Sequence, residues 1–302
     1  MRDEFVRAMI ALHEKRRDLV FITGDVGYMA LEGVEKTFGE RFINAGVAEQ
    51  NMVSLAAGLA REGHQPWLYS IAPFIVLRPY EQIRTDVCLH KLPVKVVGNG
   101  GGYGYGIMGA THHALEDVGV MRALPNMRLY VPLTATDVEQ AVTLMAADPL
   151  ANYLRLNSVA PISGELPPFA PWRRLKAGRT TVIIGMGPVL ANVYELGDQE
   201  LLDELEIWSV GTFPIEDIPA ELMVSLKEKR RVVTIEEHYR SCGLSESVSH
   251  LFLRQGVCPQ SFTSLHAKGY PSGRYGSQRW HQEESGLSGQ ALRAQLQQVV
   301  RG

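Results

Sequence analysis

A single carboxylate at a strand-to-helix junction is the first candidate for chemistry. Glu49 lies in the stretch Asn44–Met52, Asn-Ala-Gly-Val-Ala-Glu-Gln-Asn-Met, and small apolar residues at 53–60 predict a closely packed helix after it. The turn residues Asn44 and Gly46 place Glu49 in the first helical turn, where exposed amide groups and the helix dipole favour a carboxylate. Two interpretations follow: a group that exchanges protons or binds a ligand, or a stabilising first-turn glutamate.

A pair of adjacent histidines is the second candidate. His112 and His113 follow a glycine-punctuated segment, 98–109. Side-by-side histidines cannot easily share one ion and no third ligand is suitably spaced, so we predict no metal site in this chain. The motif Gly-x-Gly-x-x-Gly occurs at 104–109, but it does not lie directly on a strand-to-helix turn, so nucleotide binding is rejected. We predict instead a flexible active-site loop whose bare backbone can lie against a ligand.

A third candidate follows the first predicted strand. Asp25 comes directly after Gly24, at the end of the apolar segment Leu19–Thr23. In open α/β sheets ligands bind at the carboxyl ends of strands, which favours a ligand contact for Asp25. Aspartate is equally common in turns and caps, so both interpretations stay open.

The elements that position these residues alternate along the chain. Short apolar strands and helices follow one another in both halves, which implies parallel sheets. We predict an α/β fold with two doubly wound domains, 1–160 and 180–302, each with a mostly parallel sheet covered by helices on both faces. The segment 161–179 begins with four prolines in 11 residues and is predicted as a linker. Single helices are predicted over 73–88 and 189–202.

Composition excludes several classes of protein. The 302 residues carry a net charge of −3, which gives no basic footprint for nucleic acid. No apolar run reaches membrane-spanning length, and the first residues are too charged for a signal peptide. The three cysteines, Cys88, Cys242 and Cys258, lack a paired spacing and are interpreted as reduced thiols. We therefore predict a cytoplasmic protein that binds neither nucleic acid nor membrane.

Two of these stretches carry a family resemblance. The residues around Glu49 resemble the Gly-(Ile/Val)-Ala-Glu-Gln-Asn-Met signature of thiamine-diphosphate enzymes of the transketolase and deoxyxylulose-phosphate-synthase group. The stretch Gly109–Asp117, Gly-Ala-Thr-His-His-Ala-Leu-Glu-Asp, followed by Leu-Pro-Asn-Met at 124–127, is similar to a second family segment. The two motifs occur in the family's order. The resemblance covers essentially the whole chain, but only the C-terminal part of a full-length transketolase.

The resemblance implies a set of cofactor-binding residues for thiamine diphosphate. Glu49 matches the glutamate that bonds the ring nitrogen of the aminopyrimidine and that takes part in catalysis. Phe74 falls where relatives stack an aromatic ring on the aminopyrimidine. Ile71 and Leu77 fall where relatives often carry aromatic residues, which predicts an apolar but less aromatic pocket. Asp25 completes the predicted set.

The resemblance also implies substrate-binding residues. His112 matches the family's substrate-contacting position near the thiazolium and is the second predicted catalytic residue. His113 occupies a place that His or Gln holds in relatives and is a further predicted substrate contact. Arg2 and Arg155 fall at family phosphate-contacting arginines, and the guanidinium fork suits anion recognition.

One part of the family's cofactor site is not found in the sequence. Relatives hold the diphosphate through a divalent metal on a Gly-Asp-Gly segment followed by Asn, because a metal that neutralises phosphates needs oxygen ligands. The closest stretch here is Gly24-Asp25-Val26, which departs from that motif. The resemblance therefore implies a split enzyme: a separate diphosphate-binding subunit holds Mg²⁺, and two chains of each kind form an α2β2 heterotetramer.

The implied activity is transfer of a two-carbon ketol unit, or a related acyl unit, to an aldehyde or sugar acceptor by a transferase that is active only with its partner. Three polar family positions are replaced, by Met29, Gly100 and Met108, which predicts an acceptor other than an ordinary pentose phosphate. Two alternatives stay open. One is the beta subunit of a 2-oxoacid dehydrogenase, whose Gly-x-x-Glu-Gln segment is similar. The other is a non-catalytic paralogue that only binds a partner.

Overall fold

The chain folds into two mostly parallel sheets with helices on both faces. The structure is a computed structural model that describes residues 1–158, 162, 164–228 and 231–301. This architecture confirms the predicted α/β class. Each helix in the described ranges is too short or too polar to span a membrane.

The N-terminal half supplies six parallel strands and seven α-helices, together with short 3-10 and π-helical segments. The strands are β1 (Leu19–Thr23), β2 (Phe42–Asn44), β3 (Gln65–Ile71), β4 (Lys95–Asn99), β5 (Met127–Tyr130) and β6 (Ala151–Leu156). The helices are α1 (Arg2–Lys15), α2 (Glu32–Phe38), α3 (Glu49–Arg61), α4 (Ala72–Leu77), α5 (Tyr80–Gln82), α6 (Asp117–Arg122) and α7 (Ala135–Ala147).

The C-terminal half supplies the remaining elements. Its strands are β7 (Trp172–Lys176), β8 (Thr181–Met186), β9 (Leu205–Val210), β10 (Thr212–Phe213), β11 (Arg231–Glu236) and β12 (Ser261–His266). Its helices are α8 (Ala191–Tyr194), α9 (Gln199–Glu204), α10 (Ala220–Lys227), α11 (Leu244–Arg254), α12 (Gln278–Ser285) and α13 (Gly289–Arg301). The second sheet has the order β12-β11-β8-β9-β7, in which only β7 is antiparallel to its neighbour.

The first sheet brings the candidate residues to one edge. Its order is β10-β5-β6-β4-β3-β1-β2, and β1 is buried along its whole length because helices cover both faces. Strands β1 to β4 are parallel, so their carboxyl ends lie at the same edge of the sheet. The loop of Asp25, the turn before Glu49 and the glycine-rich segment before His112 all leave the sheet there.

The two halves share one core. Strand β10 belongs to the C-terminal half, yet it pairs antiparallel with β5 through Thr212 and Tyr130. A single buried cluster contains Leu129 from the first sheet together with Trp208 and Val210 from the second. The first sheet is therefore completed by the C-terminal half, and its core continues into that half.

The structure corrects three details of the predicted elements. Strand β7 lies inside the predicted linker 161–179, where it forms one of the two edges of the second sheet. The predicted helix 73–88 is interrupted at Pro79, which lacks the amide hydrogen that a continuous helix needs. The predicted helix 189–202 is interrupted at Gly197, which has a φ of 61°. The boundary at residue 160 and the start of the linker fall outside the described residues, and the division into domains stays a prediction.

Candidate active site

Helix α3 begins at Glu49, and the turn before it is held by a side chain. Asn44 Oδ1 accepts hydrogen bonds of 3.0 Å from the backbone N–H groups of Gly46 and of Asp25, so the loops after β1 and β2 are tied together. Glu49 is only 4% exposed, although the residue before it, Ala48, offers no side-chain cap. Asp25 itself is exposed, with a left-handed backbone at a φ of 56°. The site thus has a buried carboxylate at a helix N-terminus.

The Glu49 carboxylate is paired with an arginine that the sequence analysis gave no role. Arg78 Nη1 donates a hydrogen bond of 2.6 Å to Glu49 Oε1, and its guanidinium carbon lies 3.8 Å from the centre of the Phe74 ring. The planar guanidinium therefore contacts the carboxylate and the aromatic ring together. Arg78 follows Phe74 by four residues, a spacing that puts both side chains on one face of a helix, and this was the available signal.

Aromatic rings connect Phe74 to His112. Their ring centres are 5.1 Å apart in an edge-to-face arrangement, and the centre of the Tyr105 ring lies 5.9 Å from that of His112. The half-buried imidazole also places Nδ1 at 2.9 Å from Thr111 Oγ1. The structure thus brings Glu49, Phe74 and His112 into one continuous site, with Tyr105 as an additional member.

Tyr105 explains one departure from the family pattern. Gly100 has a φ of 79°, and a Cβ added there would lie 2.2 Å from the Tyr105 ring. Any side chain at position 100 would therefore collide with this ring. Asn99 Nδ2 donates a 3.0 Å hydrogen bond to the Tyr105 hydroxyl, and burial raises the pKa of that hydroxyl. The glycine thus makes room for a neutral phenol in the site.

The glycine-rich loop is anchored at its start, which corrects the prediction of a flexible segment for that part. Gly102 exchanges two backbone hydrogen bonds, of 2.8 and 2.9 Å, with Ala114. The N–H of Tyr103 donates a 2.6 Å hydrogen bond to the carboxylate of Glu237, which belongs to the C-terminal half. The loop is therefore held between the two halves of the chain.

His113 is buried beneath this loop and does not face the site. Its Nε2 lies 2.7 Å from the Gly106 carbonyl and its Nδ1 lies 2.9 Å from the Tyr270 hydroxyl. A carbonyl can only accept, so Nε2 carries the hydrogen and Nδ1 accepts from Tyr270. Burial lowers the pKa of His113, which favours this neutral form. The geometry argues against the predicted substrate contact and indicates that His113 holds the loop.

Arg155 is also placed away from any substrate. Its side chain is 1% exposed, and Nε donates a 2.7 Å hydrogen bond to Asp117. Its Nη2 donates to the carbonyls of Ala114 and Glu237, at 3.0 and 2.9 Å. Burial acts to lower the pKa of Arg155, but the Asp117 carboxylate outweighs it and the pKa is raised. A guanidinium enclosed in this way offers no face to an anion, so the geometry argues against the predicted substrate role.

The other predicted residues lie around the site. Arg2 is exposed and lines a cavity of about 270 Å³ together with Asn99 and Tyr105. Ile71 is half-buried and pairs with Asn99 in the sheet, and Leu77 is 47% exposed on α4. No group of three or more His, Cys, Asp or Glu side chains in the described ranges is arranged to hold a metal ion.

Comparisons with known proteins agree with this fold and show the family of the chain. Residues 1–157 match the family described as "Transketolase, pyrimidine binding domain", and the chain belongs to this transketolase family. Membership in this family implies the use of thiamine diphosphate.

Two relatives and one solved structure show which kind of transketolase-family protein this chain is similar to. The chain is 30% identical over 255 residues to one of the subunits of the apulose-4-phosphate transketolase of Phocaeicola vulgatus, a match that covers 82% of this chain and 81% of that protein. It is also 30% identical over 266 residues to the 1-deoxy-D-xylulose-5-phosphate synthase of Lawsonia intracellularis, covering 82% of this chain but 40% of that protein. A solved structure titled "Split gene transketolase, inactive beta4 tetramer" superposes with a TM-score of 0.82 at 26% identity, covering 99% of this chain and 97% of that one.

These matches confirm a thiamine-diphosphate-dependent, transketolase-type chain of the split kind, equivalent to the C-terminal part of a full-length enzyme. None of them supports the 2-oxoacid dehydrogenase or the non-catalytic paralogue over this conclusion.

Proposed function

We propose that this chain forms the pyrimidine half of a thiamine diphosphate site and, with a partner chain, transfers a two-carbon ketol unit to an aldehyde or sugar acceptor. One observation supports the proposal most strongly. A buried carboxylate, Glu49, is joined through the Arg78 guanidinium to an aromatic ring, Phe74, and that ring meets a half-buried imidazole, His112. A proton-sharing group, a stacking surface and a second proton-transfer group thus lie in sequence along one edge of the sheet.

The residues fit the aminopyrimidine end of the cofactor. A planar ring stacked on Phe74 can share a proton between its nitrogen and the Glu49 carboxyl. Bound thiamine diphosphate supplies a nucleophilic thiazolium carbon. His112, whose ring meets that of Phe74, can exchange a proton with an oxygen of the substrate. Ile71, Leu77 and Asp25 remain proposed members of the cofactor pocket.

A partner subunit that holds the diphosphate and Mg²⁺ is the second part of the proposal. The Phocaeicola vulgatus relative is, by its name, one subunit of a transketolase, and the structural neighbour is titled as the product of a split gene; both support a partner chain. We propose an α2β2 assembly in which the partner carries the Gly-Asp-Gly and Asn segment.

The surface around the site supports a partner at that edge. Six large apolar side chains on the loops and helix ends after β1 to β4 are between 47% and 89% exposed: Tyr28, Met29, Val47, Leu77, Ile107 and Met108. Exposed apolar side chains that gather at one edge of a protein mark an interaction surface. We propose that the diphosphate-binding subunit covers this edge and closes the cofactor site.

We expect the isolated chain to bind thiamine diphosphate weakly, because only the pyrimidine half of the site is present. Calorimetry with Mg²⁺ should show no micromolar binding to this chain alone, and should show it after the partner is added. Ile107→Glu should weaken the assembly, whereas Leu253→Glu, equally exposed on α11 at 78% against 76%, should not. Micromolar cofactor binding by the isolated chain would contradict the split site.

Arg2 remains a proposed contact for a substrate phosphate. It is exposed in the cavity beside Tyr105, and the Phocaeicola vulgatus relative acts, by its name, on a 4-phosphate. The replacements at Met29, Gly100 and Met108 remove polar groups, so we propose an acceptor with fewer polar contacts than an ordinary pentose phosphate.

The Arg2→Ala variant should raise KM for the phosphorylated substrate by about tenfold or more, because it loses the free energy of a hydrogen bond to a charged group. The change in kcat should be smaller. Steady-state kinetics of the reconstituted complex measure both constants. Arg7→Ala is the matched control, since Arg7 is exposed on the same helix and pairs with Glu4. An unchanged KM in Arg2→Ala would remove the phosphate role.

A further inference from the structure

We infer that Arg78 occupies the place of the aminopyrimidine in the free chain and must leave it before thiamine diphosphate binds. This inference rests on the proposed function, because it takes the space between Glu49 and Phe74 as the aminopyrimidine position, where that ring of the cofactor binds. Arg78 would then be a residue that sets the affinity of the site for its cofactor, and so the condition under which the site becomes active.

The contacts of Arg78 are those that an aminopyrimidine needs. The guanidinium is planar, stacks on aromatic faces and donates several N–H groups. Here it lies 3.8 Å above the Phe74 ring and donates a 2.6 Å hydrogen bond to Glu49. A pyrimidine ring that stacks on Phe74 and bonds Glu49 requires the same two contacts. The two groups therefore compete for one place.

The side chain of Arg78 can leave while its backbone stays. Helix α4 ends at Leu77, and Pro79 follows Arg78 directly. The Arg78 carbonyl accepts a 3.4 Å hydrogen bond from Gln50 Nε2, which ties this point to helix α3. The side chain, in contrast, is 44% exposed, whereas that of Glu49 is 5% exposed. Rotation of the Arg78 side chain toward solvent is enough to open the aminopyrimidine position.

Occupation of the aminopyrimidine position by Arg78 has two consequences. A buried carboxylate without a partner is unfavourable, and Arg78 satisfies Glu49 while no cofactor is bound. Binding of the cofactor is also weakened. The apparent Kd equals the intrinsic Kd divided by the fraction of chains in which the aminopyrimidine position is open. A cation–π contact and a partly exposed ion pair together correspond to an open fraction of about one in ten.

The test is the Kd of thiamine diphosphate with Mg²⁺, measured by calorimetry on the reconstituted two-chain complex. Arg78→Met keeps the length of the side chain and removes the planar donor, so we expect binding about tenfold tighter than in the wild type. Arg84→Met is the matched control. Arg84 lies in the short π-helix Ile83–Cys88, is 55% exposed and pairs with a carboxylate, Glu81, so its loss should leave the Kd unchanged.

Each outcome is decisive. Equal or weaker binding by Arg78→Met overturns the inference, because the arginine would then be neutral or would itself contact the cofactor. If Arg78→Met does not fold, Arg78→Lys replaces it, since it keeps a cation for Glu49 without a planar face to stack on Phe74, and tighter binding is again required. A wild-type complex that binds no cofactor would overturn the proposed function instead, so the two failures are distinguishable.

Discussion

Replacing Glu49 with glutamine should lower turnover of the assembled enzyme by about 100- to 10,000-fold, the contribution that positioned acid–base groups make. Glutamine keeps the size and hydrogen-bonding capacity of the side chain, but it cannot exchange a proton with the ring nitrogen. The residue is 4% exposed at the start of α3, so water cannot easily replace it in this role. Steady-state kinetics of the reconstituted complex would show the loss mainly in kcat.

Two further variants define the cause of that loss. Glu49→Asp should lose nearly as much, because the carboxyl retreats by one methylene and proton transfer depends on position. Glu62→Gln, at an exposed acid that follows the end of the same helix, should keep normal turnover. If Glu49→Gln kept turnover within a factor of about ten, outside the range expected for acid–base catalysis, the carboxyl would have no role in proton transfer.

Replacing Arg155 with methionine should destabilise the fold by about 3–5 kcal/mol, the cost of breaking a buried ion pair from one side. The side chains of Arg155 and Asp117 are each 1% exposed, so the substitution leaves a buried carboxylate without its cation. The hydrogen bonds from Arg155 to the carbonyls of Ala114 and Glu237, which join the two halves of the chain, are lost as well. Urea unfolding of the isolated chain measures the change.

The controls separate this structural role from the substrate role that the sequence predicts. Adding Asp117→Asn to Arg155→Met should recover part of the stability, because it removes the unpaired charge. Arg84→Met should cost less than about 1 kcal/mol, since Arg84 and its partner Glu81 are both exposed, at 55% and 61%. Normal stability with a raised KM in Arg155→Met would restore the predicted substrate contact.

Local signals in the sequence were sufficient for the main elements and for the centre of the site. The strand, the turn residues Asn44 and Gly46 and the helix of small residues placed Glu49 correctly in the first turn of α3. Alternating apolar segments predicted the parallel sheets, because strands buried on both faces are continuously apolar. Phe74 and His112 meet because β3 and β4 are neighbours in the sheet, which the motif order alone could not show.

The features that the sequence did not predict depend on contacts between residues that are far apart in the chain. Strand β12, Ser261–His266, is largely polar because it lies at the edge of the second sheet and pairs only with β11. Strand β10 has two residues and forms only against β5, so no local pattern predicts it. The type of Arg155 was compatible with anion binding, but its burial depends on Asp117 and on Glu237 of the other half. Arg78 has a role only because Glu49 lies opposite.

The central claim is that Glu49 shares a proton with the aminopyrimidine of thiamine diphosphate. Proton–deuterium exchange at the thiazolium carbon tests it most directly, measured on the reconstituted complex for the wild type and for Glu49→Gln. The cofactor should bind both proteins, and exchange in Glu49→Gln should be slower by about 100-fold or more. Exchange at the wild-type rate in Glu49→Gln would contradict the claim.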